Sequence, residues 1–297
     1  MTALVLVGIV LTQTNISFAE PQMIVTQTKQ VPTEKSNRIS ITLVPPNNPE
    51  FREPYDLLID HQALEKMQDI LSPLHLPEAL TIEATECGVV NSFYRREIGL
   101  RPTVTICFEY LKHILDSLPT ETTPEGVTAD DAAVGQFFFV TLHEVGHAIF
   151  DILAVPIFGR EEDAADNFAT YIMLQFGRGQ ARRLIGGAAW AWRAYLGDYR
   201  KNPVVPTRLA AFAGDHGLPQ ERFYNLVCLA LGANRAEFGY VESYLPASRA
   251  KRCPQEYQTM ARAFRKEIES HIDAEIAKRV LDSDWIDDLE SKATSQE

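Results

Sequence analysis

Val140-Thr141-Leu142-His143-Glu144-Val145-Gly146-His147-Ala148-Ile149 carries an H-E-x-x-H spacing inside an otherwise uncharged run. On an α-helix, positions i and i+4 lie only ~40° apart around the axis, so His143 and His147 project from one face. Two imidazoles so placed can grip one tetrahedral zinc ion. Glu144 flanks that face, within reach of a water beside the ion, where it can serve as general base. Phe137, Phe138, Phe139 and Val140 precede the motif's core, and Ile149 and Ile152 follow it. This apolar setting predicts a helix buried beneath a cleft, not a surface helix with two solvated histidines. Buried histidines and a buried glutamate need partners.

Candidate partners lie downstream. Pro156 and Gly159 stop the first helix, and Glu161-Glu162-Asp163-Ala164-Ala165-Asp166-Asn167-Phe168-Ala169 opens a second. Glu162 lies three residues before Ala165 and seven before Ala169, so it shares their inward face. It is the favoured third ligand, with Glu161, Asp163 and Asp166 as alternatives. Asp166, one turn on, can orient a ligand histidine through its other ring nitrogen. The competing H-E-x-x-H-x-x-G-x-x-H pattern fails, because Phe150 and Leu153 stand at its Gly and third His positions.

The 297 residues carry a formal net charge of −12. That balance excludes a basic nucleic-acid footprint. Much of the excess falls in two places. Asp282 to Glu297 hold six acids against Lys292, and His143 to Asp166 hold six against Arg160. The first reads as a solvated tail, the second as a place that expects a cation. Ala3 to Leu11 is apolar but too short to span a bilayer. Ser17-Phe18-Ala19 follows as a small-x-small pattern, predicting a signal peptide over residues 1–19 and an exported, periplasmic or secreted protein. In an oxidising compartment Cys87, Cys107, Cys228 and Cys253 form an even set. Of three possible pairings, proximity favours Cys87–Cys107 and Cys228–Cys253.

Arg38 to Val44, Leu80 to Ala84 and Thr103 to Ile106 read as strands, and Leu64, Met67 and Leu71 as one helical face. A helix follows through Tyr110 and Ile114, and Thr128-Ala129-Asp130-Asp131 forms a capping box that opens the zinc helix. Met260, Phe264, Ile268, Ile272 and Ile276 predict one C-terminal helix packed on the core. Strands first and helices later imply an α+β domain over residues 20–281, followed by the acidic tail 282–297. Gly186-Gly187 beside Trp190 and Trp192 predicts a close helix contact in the core.

H-E-x-x-H followed by Glu162-Asp163-Ala164-Ala165-Asp166 resembles the gluzincin arrangement, in which the second segment reads E-x-x-A-D. The resemblance implies a zincin-like fold and one zinc ion held by His143, His147 and Glu162. It also implies Glu144 as base and Asp166 as the partner of a ligand histidine. Fourteen residues separate His147 from Glu162, fewer than in the thermolysin-type pattern. From about residue 50 to 260 the chain also resembles a bacterial family of exported proteins read as zinc metallopeptidases. That likeness rests on Cys87-Gly88, Asn91-Ser92-Phe93-Tyr94, Ile106-Cys107-Phe108-Glu109-Tyr110, the zinc helix and Arg222-Phe223-Tyr224-Asn225-Leu226-Val227-Cys228.

The expected activity is zinc-dependent hydrolysis of a peptide or protein substrate. His216, six residues before Arg222, is the first candidate to meet the oxyanion, with Tyr94 and Tyr171 as alternatives. Thr103 to Ile106 is the candidate strand for pairing with an extended substrate. His61, His75, His113 and His271 are isolated and carry no role. A rival of another class is a non-catalytic, zinc-stabilised peptide-binding module. Glu144 speaks against it, since a structural site needs no base.

Overall fold

The computed structural model of the chain describes residues 38–123, 126–193 and 214–283. The expected signal peptide, the stretch following it to residue 37, and residues 284–297 of the acidic tail lie outside them. Four strands form one sheet: β1 (Ile39–Leu43), β2 (Leu80–Thr85), β3 (Ser92–Arg95) and β4 (Thr103–Cys107), in the order β1-β2-β4-β3. β1, β2 and β4 are parallel, with Ile41 opposite Ile82 and Ile82 opposite Val104. β3 runs antiparallel to β4 and forms the edge, with Tyr94 opposite Val104. Leu80, Ile82 and Ala84 alternate inward along β2, as a half-buried strand requires.

The crossover from β1 to β2 carries α1 (Arg52–Asp60) and α2 (Ala63–Leu71), whose Leu64, Met67 and Leu71 are buried as their spacing predicts. α3 (Phe108–Asp116) leaves β4 directly. The remaining helices are α4 (Ala129–Ile152), α5 (Glu161–Met173), α6 (Arg178–Arg193), α7 (Pro219–Ala233), α8 (Arg235–Phe238), α9 (Ala247–Ala250), α10 (Cys253–Glu267) and α11 (Ala274–Leu281). A small mixed sheet and a mostly helical body thus give the α+β class expected. Among the described residues no helix is long and apolar enough to cross a membrane.

The centre of the molecule is α4, buried along most of its 24 residues. The expected capping box starts it. Thr128 Oγ1 accepts from the Asp131 N–H, and Asp131 Oδ2 accepts from the Thr128 N–H, both at 3.0 Å. The α4–α6 contact is backbone on backbone, because Gly135 and Gly187 face each other. A Cβ on Gly187 would stand 1.8 Å from the Asp131 carbonyl oxygen. The glycine pair is therefore a helix contact, as its small residues suggested. Gly187→Ala must push the two helices apart and is expected to cost up to about 3 kcal/mol. Chemical denaturation checks this, and an unchanged midpoint would contradict the contact.

Both disulfides form in the favoured pairing. Cys87–Cys107 joins the ends of β2 and β4, and Cys228–Cys253 ties α7 to the start of α10.

Two expectations fail. β4 cannot receive a substrate strand, because β2 occupies one of its edges and β3 the other; the edge strands of the sheet are β1 and β3. The C-terminal stripe is also not one helix. α10 ends at Glu267, and α11 begins afresh at Ala274, capped by Asp273 Oδ1 accepting from Glu275 and Ile276 N–H groups. Between them a 3-10 turn, Glu269–His271, leads to Ile272, where the chain pairs with the segment after α2. Ile272 bridges Leu74, the His75 N–H donates to the His271 carbonyl at 2.7 Å, and the Asp273 N–H donates to Pro73 at 2.8 Å. The four-residue period survived the break because Phe264 and Ile268 are buried and Ile272 packs against the core.

Candidate metal centre

The apolar residues around the motif bury α4 so deeply that His143 is 2% and Glu144 7% exposed. One helical turn brings the Nε2 atoms of His143 and His147 to 3.3 Å. The second variable position of the motif, Gly146, is where α5 crosses. A Cβ there would lie 3.2 Å from Ala165 Cα, so glycine allows a tight crossing. The fourteen-residue connection is long enough. Glu162 Oε2 lies 3.0 Å from His143 Nε2 and 3.5 Å from His147 Nε2.

One turn further along α5, Asp166 Oδ1 accepts from His143 Nδ1 at 2.8 Å. Glu161, one of the alternatives for third ligand, turns to the other histidine: its Oε1 is 2.8 Å from His147 Nδ1. Each imidazole thus has its Nδ1 on a carboxylate, which leaves both Nε2 atoms aimed at one point. Asp166 is held in turn by Arg222 of α7, through Nε to Oδ2 at 2.8 Å and Nη2 to Oδ1 at 2.6 Å. The Arg222 guanidinium lies over the Trp192 ring, 4.7 Å from its centroid.

His216 precedes α7 on the loop 214–218. Its Nε2 is 2.9 Å from Glu162 Oε2, and its ring stacks on that of His143 with centroids 5.8 Å apart. Arg160 holds this loop, donating from Nη2 to the carbonyls of Gly214 at 2.7 Å and His216 at 3.0 Å.

A cavity of about 660 Å³ opens over these groups, walled by Ser92, Phe93 and Tyr94 of the edge strand and by Glu144, His147, Glu162 and His216. The backbone N–H of Tyr94 bonds to the Glu144 carboxylate. Tyr94 Oη donates to Asp151 Oδ2 at 2.6 Å, and Arg96 pairs with the same oxygen at 3.1 Å, so β3 is tethered to the last turn of α4. That bond occupies the Tyr94 hydroxyl. Tyr171 is not on the cavity wall; it packs on Phe264, with ring centroids 4.3 Å apart. Neither tyrosine is left free to meet an oxyanion. None of His61, His75, His113 and His271 lines the cavity. A larger cavity, about 790 Å³, is walled by Phe150, Phe168 and Phe264 and carries no histidine. Chemistry, not size, selects the site.

Electrostatics follow from these bonds. Burial pushes the Glu144 carboxyl above the ordinary glutamate value, against the nearby histidines. Hydrogen bonds from His143, His147 and His216 hold Glu162 far below it. Burial alone would lower His147, but Glu162 and Glu161 outweigh it and raise the imidazole to about 9. Carboxylates that draw protons onto imidazoles would draw a dication as well, and binding one would release those protons.

Sequence reasoning placed His143, Glu144, His147, Glu162, Asp166 and His216 in one site, and the structure brings all six together. It missed Glu161 as the partner of His147, Arg160 as the clamp of the His216 loop, and β3 as the wall. It noted Arg222 for its spacing from His216 and within the segment 222–228, not as the partner of Asp166.

No curated protein and no solved structure matches the chain. One family model does, over residues 43–267, and its description is "Putative metallopeptidase".

Proposed function

The chain belongs to this family, DUF4344, and from that membership we propose that it is a zinc-dependent peptidase with a zincin-like fold. His143, His147 and Glu162 hold one ion, and Glu144 is the base. The observation that carries this reading is the convergence of three donor atoms beside a buried glutamate on a cavity wall. The donor set suits zinc. Tetrahedral bonds of about 2.0–2.1 Å set ligand atoms ~3.3 Å apart, and the three separations are 3.3, 3.0 and 3.5 Å. Zinc, when bound, would polarise the scissile carbonyl and acidify a water.

The chain's own groups do the rest. Asp166 and Glu161 fix the two imidazoles with Nε2 toward the ion. Glu144, with its affinity for a proton raised by burial, takes one from the attacking water and passes it to the leaving amine. β3 offers its free edge to an extended peptide, which would lie across the cavity. Two disulfides suit an oxidising compartment, which supports an exported protein. The rival, a zinc-stabilised binding module, leaves Glu144 without a purpose.

Purified protein is expected to contain about one zinc per chain and to cleave an unstructured protein substrate. Chelation should abolish cleavage, and added zinc should restore it. Metal-loaded protein that binds peptides without cutting any would favour the rival, and protein that retains no metal would remove the site.

A further inference from the structure

Resting on that metal-site reading, we propose that His216 is a fourth protein ligand of the same ion, presented by a loop that Arg160 clamps, and not a donor waiting for the oxyanion. An oxyanion donor must stand a hydrogen bond beyond an oxygen that itself binds the metal, roughly 4–5 Å from the ion on the usual distances. His216 instead groups with the candidate ligand atoms themselves. It contacts the ligand oxygen of Glu162 at 2.9 Å, as His143 does at 3.0 Å. Ligand atoms from His143, His216 and Glu162, one each, lie within 4.8 Å of one another. His147 Nε2, at 3.3 Å from His143 Nε2 and 3.5 Å from Glu162 Oε2, shares the same His143–Glu162 edge.

The loop is built to hold that donor. Arg160 fixes the carbonyls of Gly214 and His216 on one side. On the other, Glu221 of α7 accepts from the Leu218 N–H at 2.9 Å. A histidine held between two anchors loses little freedom on ligation. Arg160 acts through His216 and is a positioning residue.

Three imidazoles and a carboxylate would complete a four-coordinate shell. Catalytic zinc needs a position for water, so His216 must leave before hydrolysis. Its side chain is 52% exposed, and it lines the cavity. The His216 side chain would then act as a latch on the metal, carried by a loop that stays in place.

The test counts ligands. Full-length protein loaded with zinc or cobalt(II) is compared with His216→Ala by X-ray absorption and by chelator competition. The wild type is expected to show three imidazoles and His216→Ala two, with metal affinity lower by ~10–100-fold. The cobalt visible band should weaken as the shell changes. Arg160→Ala should lower affinity in the same direction, and Arg160→Lys should restore part of it. Equal imidazole counts and affinities in wild type and His216→Ala would overturn the proposal while leaving the three-ligand site intact. Wild type that binds neither metal would overturn both.

Discussion

Glu144→Gln is expected to leave zinc content unchanged and to lower kcat by about 10³-fold or more, in line with what a positioned general base contributes. The substitution keeps shape in a site where the residue is 7% exposed. The amide oxygen can still accept from the Tyr94 N–H. What is lost is the ability to take a proton. None of the converging donor atoms belongs to Glu144, so metal stoichiometry by elemental analysis should match the wild type. Full peptidase activity in this variant would sink the mechanism. Loss of metal with loss of activity would show that the residue supports the site and would leave its role as base without support.

Arg222→Met is expected to be the most destabilising single change near the site, by about 3–5 kcal/mol, because it leaves a buried carboxylate without its bidentate partner. Asp166 and Arg222 are 12% and 18% exposed at the side chain. Burial pushes the Asp166 carboxyl up, but His143 and Arg222 outweigh it and hold it below the ordinary aspartate value. A depressed folded-state pKa gives stability that is present above the unfolded value and is lost as pH falls through the folded one. In Arg222→Met that acid limb should therefore begin at higher pH. Denaturation midpoints between about pH 3 and pH 7 check the shift. The double variant Asp166→Asn with Arg222→Met should recover part of the loss, since no unpaired charge remains. If the single variant unfolds like the wild type at every pH, the pair contributes nothing.

The metal centre was legible because its parts obey helical arithmetic. His143 and His147 are four apart, Glu162 and Asp166 are four apart, and each pair marks one face of a helix. Thr128 and Asp131 were legible as a cap for the same local reason. What stayed hidden depends on tertiary distance. Arg222 meets Asp166 across 56 residues, and Arg160 meets His216 across the same separation; no periodicity connects them. β3 spans four residues with only its first fully buried, so it lacks the alternation that betrays a strand. Its identity as an edge follows from pairing with β4 alone. Glu161 precedes the inward face of α5 by one residue, yet a long side chain lets it reach His147. The break between α10 and α11 was masked because its cause is a partner segment nearly two hundred residues earlier.

Gly146 changes how the motif itself should be read. Pattern notation treats the two middle letters of H-E-x-x-H as wild cards, interchangeable symbols without content. In this chain the second of them is conditional. α5 crosses so close that even a methyl group at Gly146 would press on Ala165 and Phe168. The permitted letter at one position is therefore tied to the helix that supplies Glu162, which stands fifteen residues after His147. The motif here is a sentence with agreement between distant words, and a substitution within its supposedly free letters would alter the grammar of the whole.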